Sequence, residues 1–228
     1  RQNDLKLLLA FGTVSQLGFL MVLVGAGSYE MAAAGVAMTL AHALFKSALF
    51  LTVGVVDHAT GTRDLRQLSG LGRRLPVLAA IGGLGALSMA GVPPLLGFVG
   101  KEAAFTALLD GGLADRTVAG LELTGLVLGS VITAAYTFRF LWGAFARKRG
   151  VPDTPVHAPG PLLTVPAGIC AVIGLALGLA PGVVNADAQN YARAYPVGPE
   201  RYDLALWHGL GPALVFSAVV ISQLPEKR

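Results

Sequence analysis

The sequence predicts an all-α, polytopic membrane helix bundle, and three observations predict it. Of its 228 residues 54% are hydrophobic and 13% charged, with a mean hydropathy of +0.65; a soluble domain carries about a quarter charged residues. The apolar residues fall in runs long enough to cross a bilayer, which needs ~20 residues of helix. The charged residues fall between those runs, in clusters that alternate in sign. The same figures exclude disorder, which needs low hydrophobicity and high charge. A net charge of +4 raises the question of nucleic acid, but basic clusters between apolar runs are a membrane pattern, so no nucleic-acid partner is expected. The one cysteine, Cys170, lies inside an apolar run, which leaves neither a disulfide framework nor a zinc cluster.

Six candidate spans follow in order: 7–24, 31–56, 76–109, 119–145, 161–184 and 204–224. Arg1 and Lys6 precede the first span, and the turn after it holds only Glu30. Arg63, Arg66, Arg73 and Arg74 follow the second span, and Asp110 and Asp115 outweigh Arg116 after the third. Arg147, Lys148 and Arg149 follow the fourth, a loop balancing Arg193 and Arg201 against Asp187, Glu200 and Asp203 follows the fifth, and Lys227 and Arg228 follow the last. Basic and non-basic connections alternate throughout, which places both ends on the cytoplasmic side. Tyr202 and Trp207 mark the outer edge of the last span and Trp142 the inner edge of the fourth. The chain opens on Arg1 without a signal-peptide layout and closes on a charged tail directly after an apolar run. The expectation is one membrane domain over 1–228, forming the C-terminal portion of a longer chain.

The third span does not fit as one straight helix. Its 34 residues would reach ~50 Å against a hydrocarbon core of ~30 Å. In its middle stands Gly91-Val92-Pro93-Pro94-Leu95-Leu96-Gly97; two prolines remove two amide donors and push the residues before them out of helical geometry. A broken helix is expected, with Gly91, Pro93, Pro94 and Gly97 at the break. Irregular backbone at that depth needs protein cover or a wet cavity, and discontinuous helices mark ion sites in transporters. The alternative is a short re-entrant turn without a transport role.

Ionisable residues at membrane depth are costly and default to functional hypotheses. Thr39, His42 and Lys46 recur at steps of three and four on the second span, which stacks them on one helical face. Burial disfavours a charged ammonium, and a lysine able to release its proton is a proton carrier; histidine titrates near neutrality unaided. The other reading of this stripe is a lysine held by a carboxylate to lock helices, with His42 bonded to a carbonyl. Lys101 and its neighbour Glu102 follow the break within two turns, either as a mid-membrane pair or at the outer interface. Lys6, with Thr13 and Gln16, forms a weaker stripe, and Arg139 reads as a snorkelling anchor. Gly83-Leu84-Gly85 lacks the strand that a dinucleotide loop requires, and Gly125…Gly129 and Gly174…Gly178 are small-residue packing spacings. His58, His157 and His208 are scattered, so no metal site is expected. No Ser-His-Asp set or paired intramembrane carboxylates stand out, which points to a transporter rather than an enzyme.

These runs resemble a known family. Asp4-Leu5-Lys6 with Leu9-Ala10-Phe11-Gly12-Thr13-Val14-Ser15-Gln16-Leu17-Gly18, His42-Ala43-Leu44-Phe45-Lys46-Ser47-Ala48-Leu49-Phe50, and Gly91-Val92-Pro93-Pro94 with Gly97-Phe98-Val99-Gly100-Lys101-Glu102 are similar to runs of the proton-translocating antiporter-like family. That family includes the large membrane subunits of respiratory complex I and the A and D subunits of the Mrp-type multisubunit cation/proton antiporters. Asp57-His58-Ala59-Thr60-Gly61-Thr62-Arg63-Asp64 and Leu206-Trp207-His208-Gly209 look most like the A-type branch of the Mrp proteins. The resemblance implies that His42 and Lys46 belong to a hydrated axis along the membrane centre, with Lys101 as the terminal lysine of this half. It also implies a preceding half of the same chain with its own glutamate–lysine pair, the other subunits of the complex as partners, and the bacterial cell membrane as location. The transported ions implied are Na⁺ and H⁺, with no cofactor. Two positions depart from the pattern: Gly100 stands where serine is common, and Met38 where some members carry a second histidine. The leading expectation is a piece of a cation/proton antiporter subunit relaying protons through His42, Lys46 and Lys101, with Lys6, Thr39 and Glu102 as relay or structural groups. A proton-pumping subunit of a redox complex and a structural subunit with packing lysines are the alternatives.

Overall fold

The computed structural model describes residues 2–109, 116–195 and 203–205, without the side chains of Arg116 and Ala119. Among them are eight helices and no strand: α1 (Leu5–Gly25), α2 (Tyr29–Thr60), α3 (Leu71–Arg74), α4 (Pro76–Ala90), α5 (Leu96–Leu109), α6 (Arg116–Phe145), α7 (Pro161–Leu179) and α8 (Gly182–Ala192). The chain is an all-α membrane bundle. Helices α1, α2, α6 and α7 are long and apolar enough to cross a bilayer. Their starts are written in the sequence: the Asp4 carboxylate caps Leu7 N–H at 3.0 Å and the Ser28 hydroxyl caps Met31 N–H at 3.3 Å, satisfying donors that have no intrahelical partner. Pro76 and Pro161 open α4 and α7, where a missing N–H is harmless. Gly61 closes α2 in the left-handed region at φ 71°.

Helix α2 is the axis of the bundle. It packs against α1, α4, α5, α7 and α8, and at 32 residues it is ~48 Å long. Lys46 therefore stands near its midpoint. The helices α4 and α5, of 15 and 14 residues, are each too short to span alone and are the two halves of the broken third span.

The basic connections meet at one end of the molecule. Asp4 pairs with Asp64 in an isolated antiparallel bridge, and Arg63 lies 3.5 Å from Asp4 and 3.7 Å from Asp57. Thr154 ties the loop after α6 to the loop after α2, donating its amide to Ser69 O at 3.0 Å and accepting Ser69 N–H at 2.8 Å. The Lys148 ammonium donates to the carbonyls of Leu65, Leu68 and Gly143, and burial lowers its pKa from the ordinary lysine value. Hydrogen bonds from Arg66 pull the Asp64 carboxyl down to about 2, so that pair stays charged at physiological pH. Arg139 donates to Gln2 O at 2.6 Å and to Asn3 Oδ1 at 2.9 Å; it pins the N-terminal segment to α6.

Two boundaries differ from the sequence reading. The fifth candidate span, 161–184, stops at Leu179 because residue 180 precedes Pro181 and takes φ −127°, ψ 63°, the restriction that proline places on its predecessor. The stretch read as a loop from 185 onward begins instead within helix α8, which runs to Ala192 with Val184, Ala188 and Ala192 buried at the four-residue spacing of one helical face. The acidic turn around 110–115 and nearly all of the sixth candidate span, with Tyr202, Trp207 and His208, lie outside the described residues.

Candidate functional site: two buried lysines and a broken helix

The break is built by local chemistry. Helix α4 ends with Gly91 at φ 84°, where a side chain would be strained. Val92 N–H bonds Leu87 O at 3.0 Å and Gly91 N–H bonds Ser88 O at 3.0 Å, the paired closure of a Schellman turn. A helix leaves its last four carbonyls without partners; this turn takes the first two. Lys101 takes the last two, donating from Nζ to Met89 O at 3.1 Å and Ala90 O at 3.0 Å. The ammonium thus sits on the negative end of the α4 dipole, and its own helix, α5, starts at Leu96, little more than one turn before it. Lys101 is 2% exposed and Glu102 is buried beside it.

Close packing covers the break. Gly97 lies so near the Ser88 carbonyl that a Cβ there would collide with it. Gly178 of α7 lies equally close to the Pro94 carbonyl, with an added Cβ 2.6 Å from Leu96 N. The Gly174…Gly178 spacing is therefore a helix contact laid directly over irregular backbone, the protein cover that such backbone requires at membrane depth.

The second lysine is held in the same way. Lys46 Nζ donates to Leu9 O of α1 at 2.9 Å and lies 6.0 Å from the centroid of the Tyr136 ring on α6, at the limit of a cation–π contact. Gly12 makes the room: a Cβ there would stand 3.0 Å from Lys46 Nζ and 2.9 Å from the Tyr136 ring. None of the ion pairs among the described residues involves Lys46. His42, one turn away, is buried and stacks on Phe45 with centroids 5.5 Å apart.

Other expected members lie elsewhere. Thr39 is exposed with Ala43 and Ser47 along one stripe of α2, and its hydroxyl donates to Gly35 O at 2.8 Å; periodicity placed it near His42 but could not tell which side of the stripe the bundle covers. Lys6 is exposed while Gln16 is buried, so the weaker stripe on α1 does not form one buried face. Gly125 and Gly129 meet nothing within 4 Å of an added Cβ, so their spacing is not a packing contact among the described residues. Gly12 and Tyr136 were not legible, because their role exists only across three helices.

The two departures, Gly100 and Met38, prove to be one contact. A Cβ at Gly100 would lie 3.0 Å from Met38 Sδ and 3.1 Å from Met38 Cα. Glycine on α5 admits the bulkier methionine on α2. Gly100→Ser alone is expected to reduce the amount of assembled protein in membranes, because overpacking costs about 1–3 kcal/mol. Adding Met38→Ala should restore part of it, and a double-mutant cycle on membrane abundance measures the coupling.

A family model described as NADH:quinone oxidoreductase/Mrp antiporter, transmembrane, matches residues 1–128. The chain belongs to this family. It is similar to the Na⁺/H⁺ antiporter A1 subunit of Staphylococcus haemolyticus, 33% identical over 96% of this chain and 30% of the relative. A probable K⁺/H⁺ antiporter A/B subunit of Rhizobium meliloti is 33% identical over 97% of this chain and 22% of the relative. Among solved structures, the Mrp complex from Dietzia sp. DQ12-45-1b matches with a TM-score of 0.82 and 42% identity over 97% of this chain and 24% of that one. Respiratory complex I from Thermus thermophilus with bound NADH matches with a TM-score of 0.70 and 26% identity over 85% and 39%. The chain spans less than a third of the length of the curated relatives it matches.

Proposed function

We propose that this chain is the proton-relaying portion of the A-type subunit of a cation/proton antiporter, working with other subunits and with the rest of its own polypeptide in the bacterial cell membrane. Na⁺ is the exchanged cation, and no cofactor takes part. The observation that carries the reading is the hydrogen bond of Lys46 to a main-chain carbonyl, with none of the ion pairs among the described residues on it. A lysine kept only to lock helices would be expected on a carboxylate, whose loss of the ammonium charge would break the pair. A carbonyl accepts an N–H from an ammonium or from a neutral amine, so Lys46 can gain or lose a proton and keep its bond to Leu9. Lys46 and Lys101 alternate between the two forms, and His42, one helical turn from Lys46, passes the proton along α2. The cation's own site involves segments or subunits beyond this chain.

The test uses the full parent complex in inside-out vesicles carrying a preset pH gradient. Added Na⁺ is expected to collapse the gradient without any redox substrate, and Lys46→Ala to abolish the collapse at matched abundance. A gradient that responds to NADH or quinone and not to Na⁺ would favour a redox-driven proton pump, a reading supported by the likeness to complex I. A response to K⁺ alone would keep the antiporter and change its cation, as the name of the Rhizobium relative suggests. Loss of abundance with unchanged transport per complex would make Lys46 a packing residue.

A further inference from the structure

A polar groove opens beside Lys101. It measures about 480 Å³ and runs between α1 and α6, lined among others by Gln16, Glu122, Gly125, Ser130 and Thr133, and Lys101 reaches its wall. From Glu122 to Thr133 it follows α6 for ~16 Å. It exists because glycines line it: Gly18, Gly125 and Gly129 would each meet nothing within 4 Å of an added Cβ. Among the described residues, Gly125 and Gly129 thus face open space rather than a neighbouring helix.

The polar atoms of this wall distinguish it from a packing gap. The Thr133 hydroxyl back-bonds to Gly129 O of its own helix at 2.7 Å. Gln16 Nε2, Ser130 Oγ and Glu122 Oε2 are buried and make no hydrogen bond among the described residues, although Gln16 and Ser130 are only 3% and 1% exposed. Each buried polar atom left so costs about 1–3 kcal/mol, and three of them converge on one groove. An amide donor, a hydroxyl that both donates and accepts, and a carboxylate acceptor are the set that threads a file of water, and each water needs ~30 Å³. An ammonium at one end disfavours a resident metal cation, so the chemistry fits a proton better.

We propose that this groove is the route by which the Lys101 proton exchanges with the outer aqueous phase, with Glu122 as its acid–base group and Gln16 and Ser130 as the hydrogen-bonding links. The proposal rests on the proton-relay reading above. The Lys101 ammonium gives up one proton and becomes an amine. The proton passes along water held by Ser130 and Gln16 to the Glu122 carboxylate, which becomes a carboxylic acid and releases it outside; the reverse sequence loads Lys101. Glu122 stands two turns from the start of α6, at the end opposite the basic loops, where an outer exchange group belongs.

The experiment separates this proposal from the relay itself. In the full parent complex with Cys170→Ala in this chain, Glu122→Cys, Ser130→Cys and Leu128→Cys are each treated with a membrane-impermeant thiosulfonate in right-side-out and inside-out vesicles. Leu128 is 58% exposed on the flank of α6 and does not line the groove. Labelling of Glu122→Cys and Ser130→Cys from the outer side only, at least about fivefold faster than Leu128→Cys, is expected. In parallel, Glu122→Gln should cut Na⁺-driven proton flux at least fivefold at matched abundance, and Glu122→Asp should restore part of it. Absence of labelling at Ser130→Cys, labelling from the inner side, or full flux in Glu122→Gln overturns the proposal while wild-type flux leaves the relay intact. If wild-type complex shows no Na⁺-driven flux, the relay reading fails, and the labelling pattern alone decides whether the groove is an aqueous route.

Discussion

Lys101→Arg is expected to leave the complex assembled and to reduce transport per complex about a hundredfold, the lower end of what a positioned proton-transfer group contributes. A guanidinium still donates to carbonyls, and the negative end of α4 still favours its charge. It cannot give up its proton at any working pH. The substitution therefore preserves the electrostatic clasp on Met89 and Ala90 and removes only the titration. Lys101→Ala removes both, and leaves two main-chain carbonyls at membrane depth without that donor, so abundance and transport should fall together. The measurement is cation-driven proton flux divided by the amount of assembled complex. A purely structural lysine predicts the opposite ranking, with arginine close to wild type in both quantities. Because flux is normalised to assembled complex, any strain from the larger side chain against Gly91 lowers the amount without disguising the result.

Gly97→Ala is expected to have the largest effect on assembly. The added methyl would be driven into the Ser88 carbonyl, which is already engaged by Gly91 N–H, while Gly97 N–H bonds the Ser88 hydroxyl at 3.3 Å. Nothing nearby is a flexible side-chain end that can swing away; both colliding groups are fixed by the break. The cost should therefore exceed the ~1–3 kcal/mol of ordinary overpacking, a large share of a stability of about 5–15 kcal/mol. Quantitative immunoblotting of membranes should find the assembled protein reduced several-fold. Gly83→Ala on the same hairpin, where an added Cβ meets nothing within 4 Å, should leave it unchanged. Equal abundance of the two variants would mean that the close approach of the half-helices is not required.

The helical class, the break in the third span and the two lysines were legible because each is a one-dimensional property. Hydropathy runs, a Gly-Val-Pro-Pro sequence and lone charges in apolar context act through solvation and backbone chemistry, which need no knowledge of neighbours. Boundaries were less legible where a proline restricts the residue before it, as at 180, and where an amphipathic helix follows a span, as in α8. Thr39 shows the limit of periodicity. Spacing assigns it to a face, but only the packing of the bundle decides that this part of the face stays uncovered.

The sequence by itself determined that the chain lives in a membrane, that its third span is broken, and that lysines stand where charge is expensive. The tertiary structure alone decided what holds them. Lys46 meets Leu9 of another helix because Gly12 clears the space, and Lys101 closes the carbonyls that the Schellman turn leaves at the end of α4. It also decided that Gly100 and Met38 are one contact, and that Gln16, Ser130 and Glu122 share a groove. Burial cost is written in residue type and is visible along a chain. A hydrogen bond between helices depends on distances that only folding creates.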